Sequence, residues 1–292
     1  MKKSKYLILN SFYFDFNDDL TKIINIKESF KKQNILDLSR FDKIKSIKNI
    51  QVDEENINFI YLPQNIEIID NSAFYKKKII ILDLSNCTKL KSIESLSFAN
   101  NQIKQLKLPK NIEEIKFCAF DDNQIESLDL SNYTKLKSIE SLSFANNQIK
   151  QLKLPKNIKI VGNFAFYSNQ IELLDLSQYI HLKYIGDYSF RSNQIKQLKL
   201  PKTIEEIKRN AFDDNQIEIL DLSKYMFLDE IFYNAFSNNP LKEIKILDNV
   251  EIKYGENNKD DFWNNFVKYY NRKGKQKGDY KLENNKWQWY PL

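Results

Sequence analysis

Few side chains in this sequence could carry out a reaction. Its one histidine, His181, and its two cysteines, Cys87 and Cys118, would have to supply any imidazole base or thiol nucleophile. Each stands alone within a periodic pattern. Lys89, Lys135 and Phe227 fill the positions equivalent to His181, while Cys118 aligns with Ser72, Phe164 and Asn210. No Gly-rich phosphate loop occurs, and one imidazole with two thiols does not make a set of metal ligands. The acids recur at fixed intervals, as surface rungs do, instead of converging. Recognition is therefore expected rather than catalysis: not an enzyme, with no cofactor and no metal.

The residues that could do the recognising repeat in columns. An apolar–x–apolar triplet begins at Leu36, Ile60, Leu82, Leu106, Leu128, Leu152, Leu174, Leu198, Leu220 and Ile244, at intervals alternating between 24 and 22 residues. The middle residue of each triplet should face outward, which gives Asp83, Lys107, Asp129, Lys153, Asp175, Lys199 and Asp221 down the stack. A second column, Lys104, Glu126, Lys150, Glu172, Lys196, Glu218 and Lys242, alternates in the same way. With rungs ~4.8 Å apart, each Lys should sit between two carboxylates. This self-neutralising zipper is one reading; a polar recognition face is the other. Tyr133, Tyr179 and Tyr225 recur 46 residues apart in the loop after every second strand, with Phe41 and Cys87 at the same position. Exposed, they would form an aromatic rail of the kind enriched at binding hot spots. Tucked over the strand edge they would seal the core, which is the favoured reading. Lys107, Asp129, Lys153, Asp175, Lys199 and Asp221, with the three tyrosines, are the candidate interaction face.

These columns need a repeating scaffold, and the rest of the sequence supplies one. The strands open alternately as LDLS (Leu82–Ser85) and LKLP (Leu106–Pro109), so the true period is 46 residues. A Phe keeps step at 74, 98, 120, 144, 166, 190, 212 and 236, always after Ala or Ser, and three residues beyond each from Phe98 onward stands an Asn. Units this short cannot enclose a core alone, so they must stack and share one. The Asn column should hydrogen-bond the turn backbones that the sheet leaves unpaired, and Pro109, Pro155 and Pro201 should end their strands. The expected fold is a leucine-rich-repeat solenoid with a parallel β-sheet on one face, a short second strand or helical turn per repeat, and caps at both ends.

The unit LKLPKNIEEIKFCAFDDN (Leu106–Asn123) resembles the BspA-like class of leucine-rich repeats, with Asn where that class often has Cys. The resemblance covers residues 36–247. It implies a protein that acts in adhesion or protein recognition, often at a bacterial or protozoan cell surface. Outside it, 1–35 reads as an amino-terminal cap. Residues 248–292 read as a cap of one helix, with Phe262, Phe266 and Tyr269 on its inner face, and a hairpin around Glu283–Asn285. The tail pattern is similar to that of some bacterial repeat proteins of this type.

Composition bounds the partners. With 42% hydrophobic and 29% charged residues, the chain has material for a core but no stretch near the ~20 apolar residues of a membrane span. Of the net charge of +6, little falls in the repeats. The expected function is a monomeric, non-enzymatic scaffold for a protein partner rather than nucleic acid. The alternative is a polyanion binder acting through the basic run Lys268, Arg272, Lys273, Lys275 and Lys277. The start, MKKSKYLILNSFYFDF, has a basic head but a broken apolar run, so it reads as mature protein. Compartment stays open, since the resemblance points to the surface or outside of the cell.

Overall fold

Each triplet forms a short strand because its two apolar side chains alternate with one polar one. Leu82 and Leu84 are buried while Asp83 faces outward, and the pattern recurs from Ile35–Asp37 to Glu243–Ile246. A second, two-residue strand follows in every coil, as at Ser92–Ile93 and Glu114–Ile115. Stacked copies pair in parallel, giving a front sheet of triplets and a back sheet of short strands. The computed structural model describes residues 14–16, 22–26, 35–47, 57–248, 250–253 and 261–292.

A third ladder joins the coils at the corner before each Asn. There, two residues per coil take left-handed backbone angles, such as Leu96 (φ 59°) and Asn100 (φ 56°), or Leu142 (φ 59°) and Asn146 (φ 51°). For Leu this conformation costs about 1–2 kcal/mol. It turns the N–H groups along the stack, so that Leu96 donates to Phe117 and Asn100 to Asp121 in the next coil. Inter-coil hydrogen bonds thus offset the strain.

The core is one continuous column. The eight phenylalanines that keep step with the triplets, Phe74, Phe98, Phe120, Phe144, Phe166, Phe190, Phe212 and Phe236, are fully buried and stack face to face along the axis. Centroid spacings alternate between 5.3–5.4 Å and 5.7–5.8 Å, so even the aromatic stack carries the double period. Beside it run the buried asparagines. Asn123 accepts from the Ile103 N–H at 3.0 Å and donates to the carbonyls of Phe98 (2.9 Å) and Phe120 (3.2 Å). Asn147, Asn169, Asn193, Asn215 and Asn239 repeat the pattern.

The helix Phe262–Arg272 closes the column, with Asp261 as its N-cap accepting from Asn264. That cap sets the helical phase so that Trp263 lands on the last ring, Phe236, at 5.0 Å. Trp263, Phe266, Val267 and Tyr270 therefore face inward. Phe262 is 41% exposed and Tyr269 lies at the margin, which corrects the face expected from Phe262, Phe266 and Tyr269. The hairpin Gly278–Glu283 and Lys286–Tyr290 turns at Asn284 and Asn285, both left-handed, and pairs Tyr280 with Trp289 and Leu282 with Trp287. Its first strand runs antiparallel against Glu243–Ile246 and so extends the front sheet. At the other end, Phe14–Phe16 and Lys22–Ile26 pair antiparallel and join the back sheet at Ser46–Ile47. The remainder of the expected amino-terminal cap, like the basic start, lies outside the described residues.

Candidate interaction surface

The outer face of the front sheet is organised in twos. Every LDLS strand forms a parallel ladder with the LKLP strand after it, as Ser127–Asp129 does with Gln151–Lys153. Three of the interfaces from an LKLP strand to the next LDLS strand carry no such ladder, so the front sheet is interrupted there. Charges follow the same division. Lys107 reaches Asp83 at 3.1 Å, Lys153 reaches Asp129 at 3.0 Å and Lys199 reaches Asp175 at 3.1 Å. Each Lys pairs only with the Asp of the preceding coil. The expected continuous zipper is therefore a row of separate pairs.

The aspartates have a second task that excludes a two-sided zipper. Oδ1 of Asp129 accepts from the Ser131 N–H at 3.0 Å and from its hydroxyl at 2.6 Å, which leaves only Oδ2 for Lys153. Asp83, Asp175 and Asp221 hold Ser85, Ser177 and Ser223 in the same way. The LDLS signature is thus a turn device as well as a charged rung. Hydrogen bonds from the serine, with Lys153 or Lys199 adding to them, hold the Asp129 and Asp175 carboxyls below the usual range. A folded-state value depressed below the unfolded ~3.9 contributes stability above that value and loses it as pH falls through the folded one. Replacing Asp129 and Asp175 by Asn should therefore lower the melting temperature at pH 7 but flatten its fall below pH 4 (thermal melts against pH).

The tyrosines do not lie on the surface. Tyr179 is 2% and Tyr225 9% exposed, and Tyr133 is half-buried. Their hydroxyls fill the gaps where the front ladder is missing. Tyr179 accepts from the Leu154 N–H at 2.9 Å, Tyr225 from that of Leu200 at 3.0 Å, and Tyr133 donates to the Leu108 carbonyl at 3.3 Å. Where Cys87 takes this place, the adjoining strands approach and pair at Phe59 and Ile81. Of the two readings, the tucked one holds: the tyrosines are three wedges at the strand edge and not an exposed rail. Tyr179→Phe keeps the ring but orphans a buried N–H, at a cost of about 1–3 kcal/mol. Urea unfolding should register that loss, and a smaller one for the half-buried Tyr133→Phe.

A column beside the charges escaped attention in the sequence. The residue before each triplet also faces outward, and in LDLS coils it is apolar at four positions: Ile35, Ile81, Leu173 and Ile219. Leu173 and Ile219 are 57% and 61% exposed. Strand alternation alone could have found them, since the residue before an inward Leu must point out. Gln105, Gln151 and Gln197 stand between them. At the loop edge Ile180, Met226 and Phe227 are exposed as well.

The two thiols are disfavoured as nucleophiles where they lie. Burial pushes both Cys87 and Cys118 up to about 11, against thiolate chemistry. Among the described residues no group of His, Cys, Asp and Glu could hold a metal, and no helix is long and apolar enough to cross a membrane. The carboxy-terminal basic run is partly engaged: Lys275 pairs with Glu251, and Lys273 lies over the Tyr269 and Trp289 rings.

The family model of the BspA type leucine rich repeat region matches six copies, over residues 21–147, 80–180 and 137–256. The chain belongs to this BspA-type repeat family. A search among curated proteins found no match. Among solved structures, this BspA-type chain is similar to YopM, a leucine-rich effector protein of Yersinia pestis, at 20% identity over 82% of the chain and 54% of YopM, with a TM-score of 0.42. It is also similar to the internalin InlF of Listeria monocytogenes, at 18% identity over 80% and 67% with a TM-score of 0.48. For the functional domain of InlJ from the same organism the figures are 15%, 74%, 48% and 0.43. The chain spans about half the length of YopM and of the InlJ domain.

Proposed function

We propose that this BspA-type protein is a non-enzymatic scaffold that binds another protein over the outer face of its front sheet. The observation that carries this reading is the exposed apolar column at Leu173 and Ile219 beside the paired charges of Asp175 and Lys199. Apolar anchors ringed by polar groups are the usual anatomy of a protein contact. The charged pairs supply complementarity and register; the aliphatic side chains supply contact area. The rigid ladders hold that face in shape before binding, which reduces its ordering cost. Family membership supports a setting in adhesion or host recognition, with the partner met at a cell surface or outside the cell.

Affinity capture with the intact protein, compared with the double variant Leu173→Glu and Ile219→Glu, tests the proposal. A partner that uses this face should be lost from the variant while the melting temperature stays the same. Its capture should also persist between ~50 and ~200 mM salt, unlike that of a polyanion. Retention of the same partner by the variant would refute the assignment.

A further inference from the structure

The two lateral edges of the solenoid differ in charge. One edge consists of the loops that lead from front strand to back strand, 85–91, 109–113, 131–137, 155–159, 177–183 and 201–205. These loops hold nine lysines and no other acids than Glu113 and Glu205. The opposite corners, 94–101, 116–123, 140–147, 162–169, 186–193 and 208–215, hold seven acids against four basic residues. Summed over all the repeats the difference disappears, which is why the total charge gave no sign of it.

The loop-edge lysines also differ from those of the sheet face in what they touch. Lys107, Lys153 and Lys199 each pair with a carboxylate. On the edge, Lys89, Lys110, Lys137, Lys156, Lys159 and Lys202 are exposed, and none is within ion-pair distance of a carboxylate among the described residues. The backbone beneath them is fixed, because Asn111 and Asn157 donate side-chain hydrogen bonds to the Thr88 and Thr134 carbonyls of the coil before. Over six coils at ~4.8 Å, the fifth holding only Lys183 in its pair with Glu205, the edge lysines make a comb of positive charge about 24 Å long and one loop wide.

We propose that this edge binds a linear polysaccharide carrying sulfate or carboxylate groups, laid along the solenoid axis. The form of the comb selects the class. Single-stranded nucleic acid is gripped by aromatic platforms between the charges, and the six loops expose no aromatic side chain; their one exposed large apolar residue is aliphatic, Ile180 in the fifth loop. An acidic protein segment would want apolar anchors among the charges, and the four loops from 85–91 to 155–159, which carry five of the six unpaired lysines, expose none. Lysine ammonium groups are hydrated point charges rather than bidentate forks, suited to a hydrated polymer with regularly placed anions. The site is separate from both the front-sheet face and the carboxy-terminal basic run.

Heparin, titrated into the intact protein at ~50 mM salt, is the probe. Binding should weaken steeply as salt rises, and the triple variant Lys137→Gln, Lys156→Gln, Lys159→Gln should lose about tenfold in affinity or more. The matched sheet-face variant, Lys107→Gln, Lys153→Gln, Lys199→Gln, should stay within about twofold of the intact protein. The edge variant removes only exposed side chains without ion partners, so its melting temperature should not change. Three results would overturn the proposal: no heparin binding at ~50 mM salt, equal losses in the two variants, or tighter binding of poly(dT) or poly(L-glutamate) than of heparin.

Discussion

A protein lacking residues 106–151 should melt at a higher temperature than one lacking only 106–127, although it has lost more of its chain. Nearest-neighbour energetics alone give the opposite order, since the longer deletion removes one more coil interface. Deleting 46 residues joins Gln105 to Leu152 and leaves an LDLS strand followed by an LKLP strand, an interface already present in the native stack. Deleting 22 places Asp83 beside Asp129, removes the Lys107 partner of Asp83, and strips Tyr133 of the Leu108 carbonyl. It also removes Asn111, which secures the Thr88 loop. A like-charge rung and two or three lost hydrogen bonds amount to about 2–4 kcal/mol. This penalty is set against the one further interface lost in the longer deletion, and each kcal/mol by which it exceeds that interface separates the melting temperatures by about 2–4 °C. Coincident melting curves would mean that the alternation of coil types has no energetic weight.

Asn169→Leu should be the most damaging single substitution outside the phenylalanine column. The side chain accepts from the Ile149 N–H at 3.0 Å and donates to the carbonyls of Phe144 (2.9 Å) and Phe166 (3.2 Å), all in a buried setting. A leucine of similar size leaves the Ile149 N–H and the Phe144 carbonyl without partners, while the Phe166 carbonyl keeps the Asn193 side chain. At about 1–3 kcal/mol for each of the two orphaned groups, partly relieved by relaxation, the loss is on the order of 3 kcal/mol. The same change at exposed Asn132 should stay within about 0.5 kcal/mol. Denaturant unfolding of the two variants decides the matter; a loss below ~1 kcal/mol at position 169 would relegate the Asn column to space filling.

The architecture was legible in the sequence because the same residues recur at the same offsets. Phe98, Phe120 and Phe144 could be assigned to one column from their spacing, and Asn123 to its hydrogen-bonding role from standing three residues after Phe120. The corner was not legible. Left-handed backbone is usually announced by glycine, yet here Leu96, Leu142, Phe164 and Tyr188 adopt it because their N–H groups find acceptors in the next coil. The double aspect of Asp129 was hidden for a related reason: outward position was evident from strand alternation, but its grip on Ser131 depends on a turn whose geometry only the fold defines. Alternation could have revealed Leu173 and Ile219, had the residue before the triplet been followed as closely as the one inside it. The tyrosines lie tucked over the strand edge, the favoured of their two readings, but the backbone groups they bond depend on how wide a gap the neighbouring strands leave.

Ladders that link coils two by two also give this molecule a mechanical grain. Under tension along the chain, the seams where a tyrosine hydroxyl stands in for the front ladder should part before those stitched by a full front-strand pairing, since the back-sheet and corner bonds are common to both. The pillar would then come undone in equal instalments. Each would release 46 residues, or about 150–165 Å of extended chain, rather than in single turns or one collapse.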